Sequence, residues 1–375
     1  MEGKTILVIS PEAWGSNFVS KHHYANYLAQ KNNVYFLNPA SGFSKNPLGT
    51  IKGQLTEIKP NLTVIDYINL LPRLNNLPKS VQKNTYKRQA KQILNLINAK
   101  VDLVWSFDPF RYFDQAVWTN CKTIYHTVDF HPDAQFEKDI VLSSDAFFGV
   151  TEWILKDHNA YRKGIKIVHA ADLDGFKNKT TPQLPGVNKI RACYVGNLHK
   201  HIDYGLLLDM VKTHPNVDFI IIGPIENSNL SAGNKVKTET LNALKTNPNI
   251  HFIGSVPPPE LMGYISACDI NLVLFQKAHE KIHCSPHKLM GYFYSGNITL
   301  SNYIDAHKNT DPSIIKMIPE QKDIPAAFSQ IIENLSEHNA ADIRAKRTAF
   351  AKANGYASKI EKIGQIVFND AKKDI

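Results

Sequence analysis

Nowhere does the sequence hold a run of about 18 apolar residues, so no helix could satisfy its backbone across a bilayer. Cysteine is scarce as well. The four residues, Cys121, Cys193, Cys268 and Cys284, lie far apart and lack the CxxC or Cys/His spacing of a zinc site or redox pair. The expectation is a reducing, cytoplasmic setting without a zinc site or redox pair. Low-complexity tracts and short fixed-period repeats are missing too, and the 19 Gly and 20 Pro are scattered, which speaks against fibrous or disordered classes. The opening MEGKTILVIS carries an apolar run that Pro11 and Glu12 stop short of a signal-peptide core, so it reads as a first strand.

What is present fits two cores, since 375 residues with 43% hydrophobic content exceed the usual size of one domain. Short β-branched and aromatic runs recur with helical stretches between them: TILVIS, VYFL, LTVI, LVW, TIYH, AFFGV and IKIVH. Such alternation implies a parallel sheet. A polar, proline-bearing stretch after Phe176 reads as a linker, after which a second series begins with RACYV, VDFIII, IHFI, INLVLF and ITL. The expected domains are therefore 1–176 and 190–353, joined by 177–189. Tyr356, Ile360, Ile363 and Val367 give a terminal helix one apolar face, and 356–375 is assigned to the first domain. The fold class is α/β, with two Rossmann-like halves facing a cleft into which the carboxyl ends of their strands point.

The net charge of +9 is concentrated: between Lys45 and Lys100, ten Lys or Arg stand against Glu57 and Asp66. Within it, residues 70–91 place Leu70, Leu71, Leu74 and Leu77 beside Arg73, Lys79, Lys83, Lys87, Arg88 and Lys91. Leucines beside a basic face suit an anionic membrane surface, here the inner face; a solvated helix packed on a sheet explains the pattern equally well. No nucleic-acid motif accompanies the charge.

The chemistry is sought in loops after strands. RACYV runs into GNLHKHID, where Gly196 lets backbone approach a phosphate, making Gly196 and Asn197 candidate diphosphate contacts. An ordinary turn has the same look. Further along come VDFIIIGP, PNIHFIGSVPPPELMGYISACDINLVLF and HCSPHKLMGYFYSGNITL. Together these resemble the nucleotide-sugar half of GT-B glycosyltransferases through Gly196, Gly223, Pro224, Asn249, Gly254, Glu260, Leu261, Asp269, Phe275, Ser285, Pro286, Lys288, Tyr292 and Gly296. The first half is similar more loosely, to polysaccharide-building members, through SKHHYANYLAQKNNVYFLNP and TIYHTVDFHPDAQFEKDIVLSSDAFFGVTEWI.

The resemblance implies transfer of a sugar from a UDP- or GDP-sugar, which is a substrate, to a glycan or lipid-linked acceptor, with no metal and no cofactor. It implies donor contacts at Gly196, Asn197, Gly223, Pro224, Ser255, Val256, Ser285, Pro286, His287, Lys288 and Tyr292. Ser255 and Val256 stand where the family holds the base. Gly291 and His283 replace family glutamates, with Glu280 near in sequence. Physically, Ser285 is a good N-cap and Pro286 suits the first helical position, so SPHKLM should open a helix whose free amides face a diphosphate. A lysine in a first turn is unfavourable on dipole grounds, so Lys288 needs a reason, and offsetting leaving-group charge is one.

An inverting enzyme also needs a base. Asp129 follows TIYH and is the choice, with His126 and His131 near in sequence and His22 and His23 in reserve; capping a helix is the plain alternative for Asp129. Two other folds have partial support in the residues. A dinucleotide fold lacks its G-x-G-x-x-G, while Asp172 and Asp174 form a short DxD of the kind that holds manganese in another transferase fold. A non-catalytic sugar-nucleotide-binding or scaffold protein is kept open by Gly291.

Overall fold

The computed structural model describes residues 1–15, 18–46, 49–177, 181–198, 201–225, 238–279 and 285–369. The chain divides into unit 1, Met1–Val168 with Tyr356–Ile375, and unit 2, His169–Gly355.

Unit 1 holds an eight-stranded sheet: β1 Thr5–Ile9, β2 Asn33–Leu37, β3 Gly53–Lys59, β4 Leu62–Tyr67, β5 Leu103–Ser106, β6 Lys122–Thr127, β7 Ala146–Gly149 and β8 Ile165–Lys166. Their order is β3-β4-β2-β1-β5-β6-β7-β8, and every pairing is parallel except β3 with β4. β5 is wholly buried and β1 nearly so, because helices cover both faces of a parallel sheet and leave no polar side for alternation. β3 escaped the sequence reading. Its interior is exposed, so it carries no apolar period, and a tight turn at Pro60 and Asn61 (φ 67°) folds it back on β4.

Unit 2 is a six-stranded parallel sheet: β9 Ile190–Val195, β10 Val217–Ile222, β11 Ile250–Gly254, β12 Ile270–Val273, β13 Ile298–Asn302 and β14 Lys316–Ile318. The order is β11-β10-β9-β12-β13-β14. The order reverses direction between β9 and β12, and in such sheets ligands bind outside the carboxyl ends of the strands at that point.

The boundary differs from the sequence reading. Residues 169–176 group with unit 2, because Ala171 N–H donates to Asn354 O at 2.9 Å and Phe176 packs on Tyr294 with ring centroids 5.0 Å apart. In the expected linker, Asn188 N and Nδ2 both donate to Asp218, at 2.8 and 3.1 Å, which fastens it to β10. Helix Tyr356–Asn369 buries Tyr356, Ile360, Ile363 and Val367, and Tyr356 meets the rings of Tyr24 and Tyr27 on helix Ser20–Leu28.

The leucines of 70–91 are not a membrane face. Leu70 and Leu74 are buried, Leu71 and Leu77 pack against the same core, and Lys79 and Lys83 pair with Asp139 and Asp114 at 2.7 Å. Among the described residues, no helix is long and apolar enough to cross a membrane.

Candidate functional site

In unit 2, β9 and β10 run into Gly196 and Gly223, and β11 ends on Gly254; φ is 131°, 140° and 80° at the three glycines. A side chain would be strained at each. The reason for glycine differs among them: a Cβ on Gly223 would stand 2.1 Å from Gly196 O, whereas one on Gly254 would meet nothing within 4 Å. Beyond the strands the backbone stays stitched, with Gly196 N to Ile222 O at 2.8 Å, Leu198 N to Pro224 O at 2.9 Å and Gly223 N to Gly254 O at 2.8 Å. The expectation for Gly196 is a close backbone approach to a phosphate. Its N–H is already occupied, and what the missing side chain provides is clearance, because a Cβ there would lie 3.0 Å from Lys288 Nζ. Gly223 and Pro224 likewise build this ladder. Asn197 and Ser255 are exposed beside it and Val256 is partly exposed.

Lys288 is the chemical centre of this face. Its ammonium lies 3.8 Å from the centroid of the Tyr194 ring and 5.2 Å from that of Phe275. Tyr194 belongs to β9 and Phe275 follows β12, so the cation sits at the reversal point of the sheet. Lys288 is partly buried, which pushes its pKa down to about 7, and a ring quadrupole offsets part of the lost hydration. Among the described residues no carboxylate pairs with Lys288. Among those residues the group is thus a cation without a counter-charge.

The helix expected from Ser285 begins later, at Leu289, and runs to Ser295. Leu289 N and Met290 N reach back three residues to Pro286 O and His287 O, a tight lead-in turn, and the helix has no side-chain cap. The amides of Leu289 and Met290 are thus engaged in the lead-in turn, and Ser285 and Pro286 shape the turn that delivers Lys288. His287 faces His169, ring centroids 5.4 Å apart. Tyr292 is fully buried: its hydroxyl accepts from Val195 N at 2.8 Å and donates to Leu272 O at 3.3 Å. It therefore ties β9 to β12 and cannot reach a ligand, which corrects its expected donor contact. Gly291 is buried against Ile265 and Phe176, 3.6 and 3.7 Å from where a Cβ would be. Glu280 and His283 lie outside the described residues.

In unit 1 the three residues expected to be catalytic go to different places. Asp129 is exposed after β6, where its Oδ2 lies 3.4 Å from Lys21 Nζ, and Lys21 also pairs with Glu12 at 2.9 Å. The next helix starts at Glu137, so Asp129 does not cap it. His22 is buried with both ring nitrogens on backbone, Nε2 with Ala13 O at 3.0 Å and Nδ1 with Val19 N at 3.2 Å. Burial lowers its pKa, and it stacks on Phe36. It holds the loop after β1 and is not a free base. His126 is wholly buried among Tyr24, Trp105, Phe107 and Phe148. His131 packs on Phe110 and His23 on Tyr356. Asp172 caps its own turn through Gly175 N and Asp174 pairs with Lys177.

No known protein-family profile matches the sequence, and no curated protein does. Solved structures do. A trehalose-6-phosphate structure from E. coli bound with UDP-2-fluoro glucose superposes with a TM-score of 0.68 at 11% identity, covering 99% of this chain and 100% of that one. The chain has the GT-B fold. Further GT-B neighbours include sucrose-phosphate synthase from Thermosynechococcus elongatus, with TM-score 0.65, 13% identity and coverage of 97% and 98%. A glycosyltransferase from Rickettsia africae gives 0.68 and 13% over the whole of both chains.

Sequence reasoning missed Lys21, the residue that joins Glu12 to Asp129. The signal was available, since Lys21 stands in the first turn of helix Ser20–Leu28, where a cation is unfavourable, the same argument that singled out Lys288.

Proposed function

We propose that this GT-B protein is a glycosyltransferase which takes a sugar from a UDP- or GDP-sugar and passes it to a saccharide or lipid-linked acceptor. The observation that carries the reading is Lys288, an ammonium desolvated at the sheet's reversal point with cleared space beside Gly196. Such a cation gains most from a dianionic diphosphate, and more as the sugar leaves and charge gathers on the nucleotide. A solved neighbour bound to UDP-2-fluoro glucose supports a nucleotide-sugar donor.

Unit 1 is assigned the acceptor. Asp129 is its base, oriented by Lys21, and the charge on the diphosphate is met by a side chain, so the reaction is assigned no metal. Attraction of the exposed Lys87 and Lys91 to an anionic inner membrane face is electrostatic only, without the leucine contribution.

The test measures nucleotide release with a panel of UDP- and GDP-sugars and candidate acceptors. Lys288→Ala should lower turnover at least 100-fold, on the scale of removing one transition-state charge contact. Asp129→Asn should lower kcat with donor affinity unchanged. Near-normal turnover in Lys288→Ala would refute the assignment. Donor binding without any nucleotide release would favour the second reading, a sugar-nucleotide-binding protein, which Gly291 in place of a family carboxylate supports.

A further inference from the structure

Unit 1 contains a cavity of about 310 Å³ at the carboxyl ends of β2 and β4, where Pro39, Ala40 and Leu74 supply an apolar wall. Asn69, Arg73, Asn75, Asn76, Tyr86 and Arg111 line it, and no carboxylate does. Several of these side chains keep hydrogen-bond donors that no partner among the described residues takes up. Asn75 Oδ1 accepts from Tyr86 OH at 2.7 Å and Asn69 Oδ1 accepts from Gln89 Nε2 at 3.2 Å, so the uncommitted ends of both amides are NH2 groups. Arg111 is buried with four of its five N–H groups held, by Asp108 Oδ2, Asn38 O, Tyr67 OH and Ser10 O, leaving one. Arg73 has no carboxylate within ion-pair distance among the described residues. Donors are left over here: the NH2 groups of Asn69 and Asn75, one N–H of Arg111 and the guanidinium of Arg73.

A second observation points the same way. Arg73 is held at φ 47° and ψ 38°, the left-handed region that glycine adopts without strain and arginine does not. Strain of this kind gathers where a side chain is kept for binding. A second cavity in unit 1, at Lys79 and Lys83, makes the contrast, because both lysines there are already matched by Asp139 and Asp114.

We propose that this cavity binds an oxyanion, the phosphate or carboxylate of an anionic saccharide, and so selects the acceptor. The inference rests on the assignment of the acceptor to unit 1. A group that only accepts hydrogen bonds and carries charge satisfies the spare amides and the Arg73 guanidinium together, whereas a neutral hydroxyl would satisfy one donor and add another.

The experiment is calorimetric titration of the full chain with inorganic phosphate, a hexose phosphate, a hexuronate and a neutral hexose. One of the two anionic sugars should bind at least tenfold more tightly than the neutral hexose, and which one it is separates phosphate from carboxylate. Arg73→Gly should remove that preference without lowering the thermal midpoint, since it relieves the strained backbone while deleting the guanidinium. No preference for anions, or one unchanged in Arg73→Gly, overturns the proposal. UDP-sugar titration in parallel separates the two readings: full donor affinity in Lys288→Ala sinks the donor assignment alone, and an intact anion preference in Arg73→Gly sinks this one alone.

Discussion

Lys288 should make donor binding take up a proton. The free protein holds its pKa at about 7 instead of the usual 10.5, so at pH 7 about half the molecules carry the charge and at pH 8 about one in ten. A bound diphosphate restores the charged form, so uptake should be about 0.5 proton per donor at pH 7 and about 0.9 at pH 8. A nucleotide sugar titrates no group of its own in that range, and Lys288→Met removes the lysine's share. The measurement is calorimetry in buffers of different ionisation enthalpy. The free protein provides an independent check whose sign is fixed. Because the folded pKa lies below the unfolded one, the unfolded chain binds more protons between pH 7 and 10.5, and stability contributed at this site rises with pH across that window. Between pH 7 and pH 9 the rise is on the order of 2 kcal/mol, and Lys288→Met should flatten the wild-type curve by that amount. Proton uptake near zero at pH 8, or identical pH slopes in both proteins, would refute the view of Lys288 as a desolvated cation awaiting an anion.

Glycine substitutions should separate contact from conformation. Gly223→Ala, which puts a Cβ 2.1 Å from Gly196 O, should cost about 3 kcal/mol or more in urea unfolding, and Gly254→Ala, which meets nothing, only about 1 kcal/mol; equal losses would sink the distinction. Tyr292→Phe leaves Val195 N–H without its partner and should lower stability by about 1–2 kcal/mol and weaken donor binding with it, whereas a direct ligand role would weaken binding alone. Turnover should survive a chelator such as EDTA, and loss of activity restored by a divalent cation would show that Lys288 does not meet the diphosphate charge unaided.

Much of the architecture is legible because parallel strands buried on both faces are continuous apolar runs, and nearly all of those runs became strands. The exposed β3 and the three-residue β14 carried no such signal, as an edge strand needs only backbone partners. The turns after β9, β10 and β11 were legible from glycine alone, since a positive φ at a strand end admits little else. Lys288 was legible as a cation placed against the local dipole.

What a side chain does in such a pattern was decided by packing. Tyr292 belongs to the same motif as Lys288 yet points inward as a clamp between β9 and β12. His22 and His126 stand near loops in sequence, but one is locked by two backbone bonds and the other is sealed among aromatic rings. Residues 73 and 75 lie far along the chain from residue 111, and they line one cavity with it only because β2, β4 and β5 end on the same side of one sheet. The sequence determined strand identity and turn chemistry, which depend on neighbours a few residues away. The tertiary structure alone decided which polar groups were left with unused hydrogen bonds, because that depends on partners many residues distant.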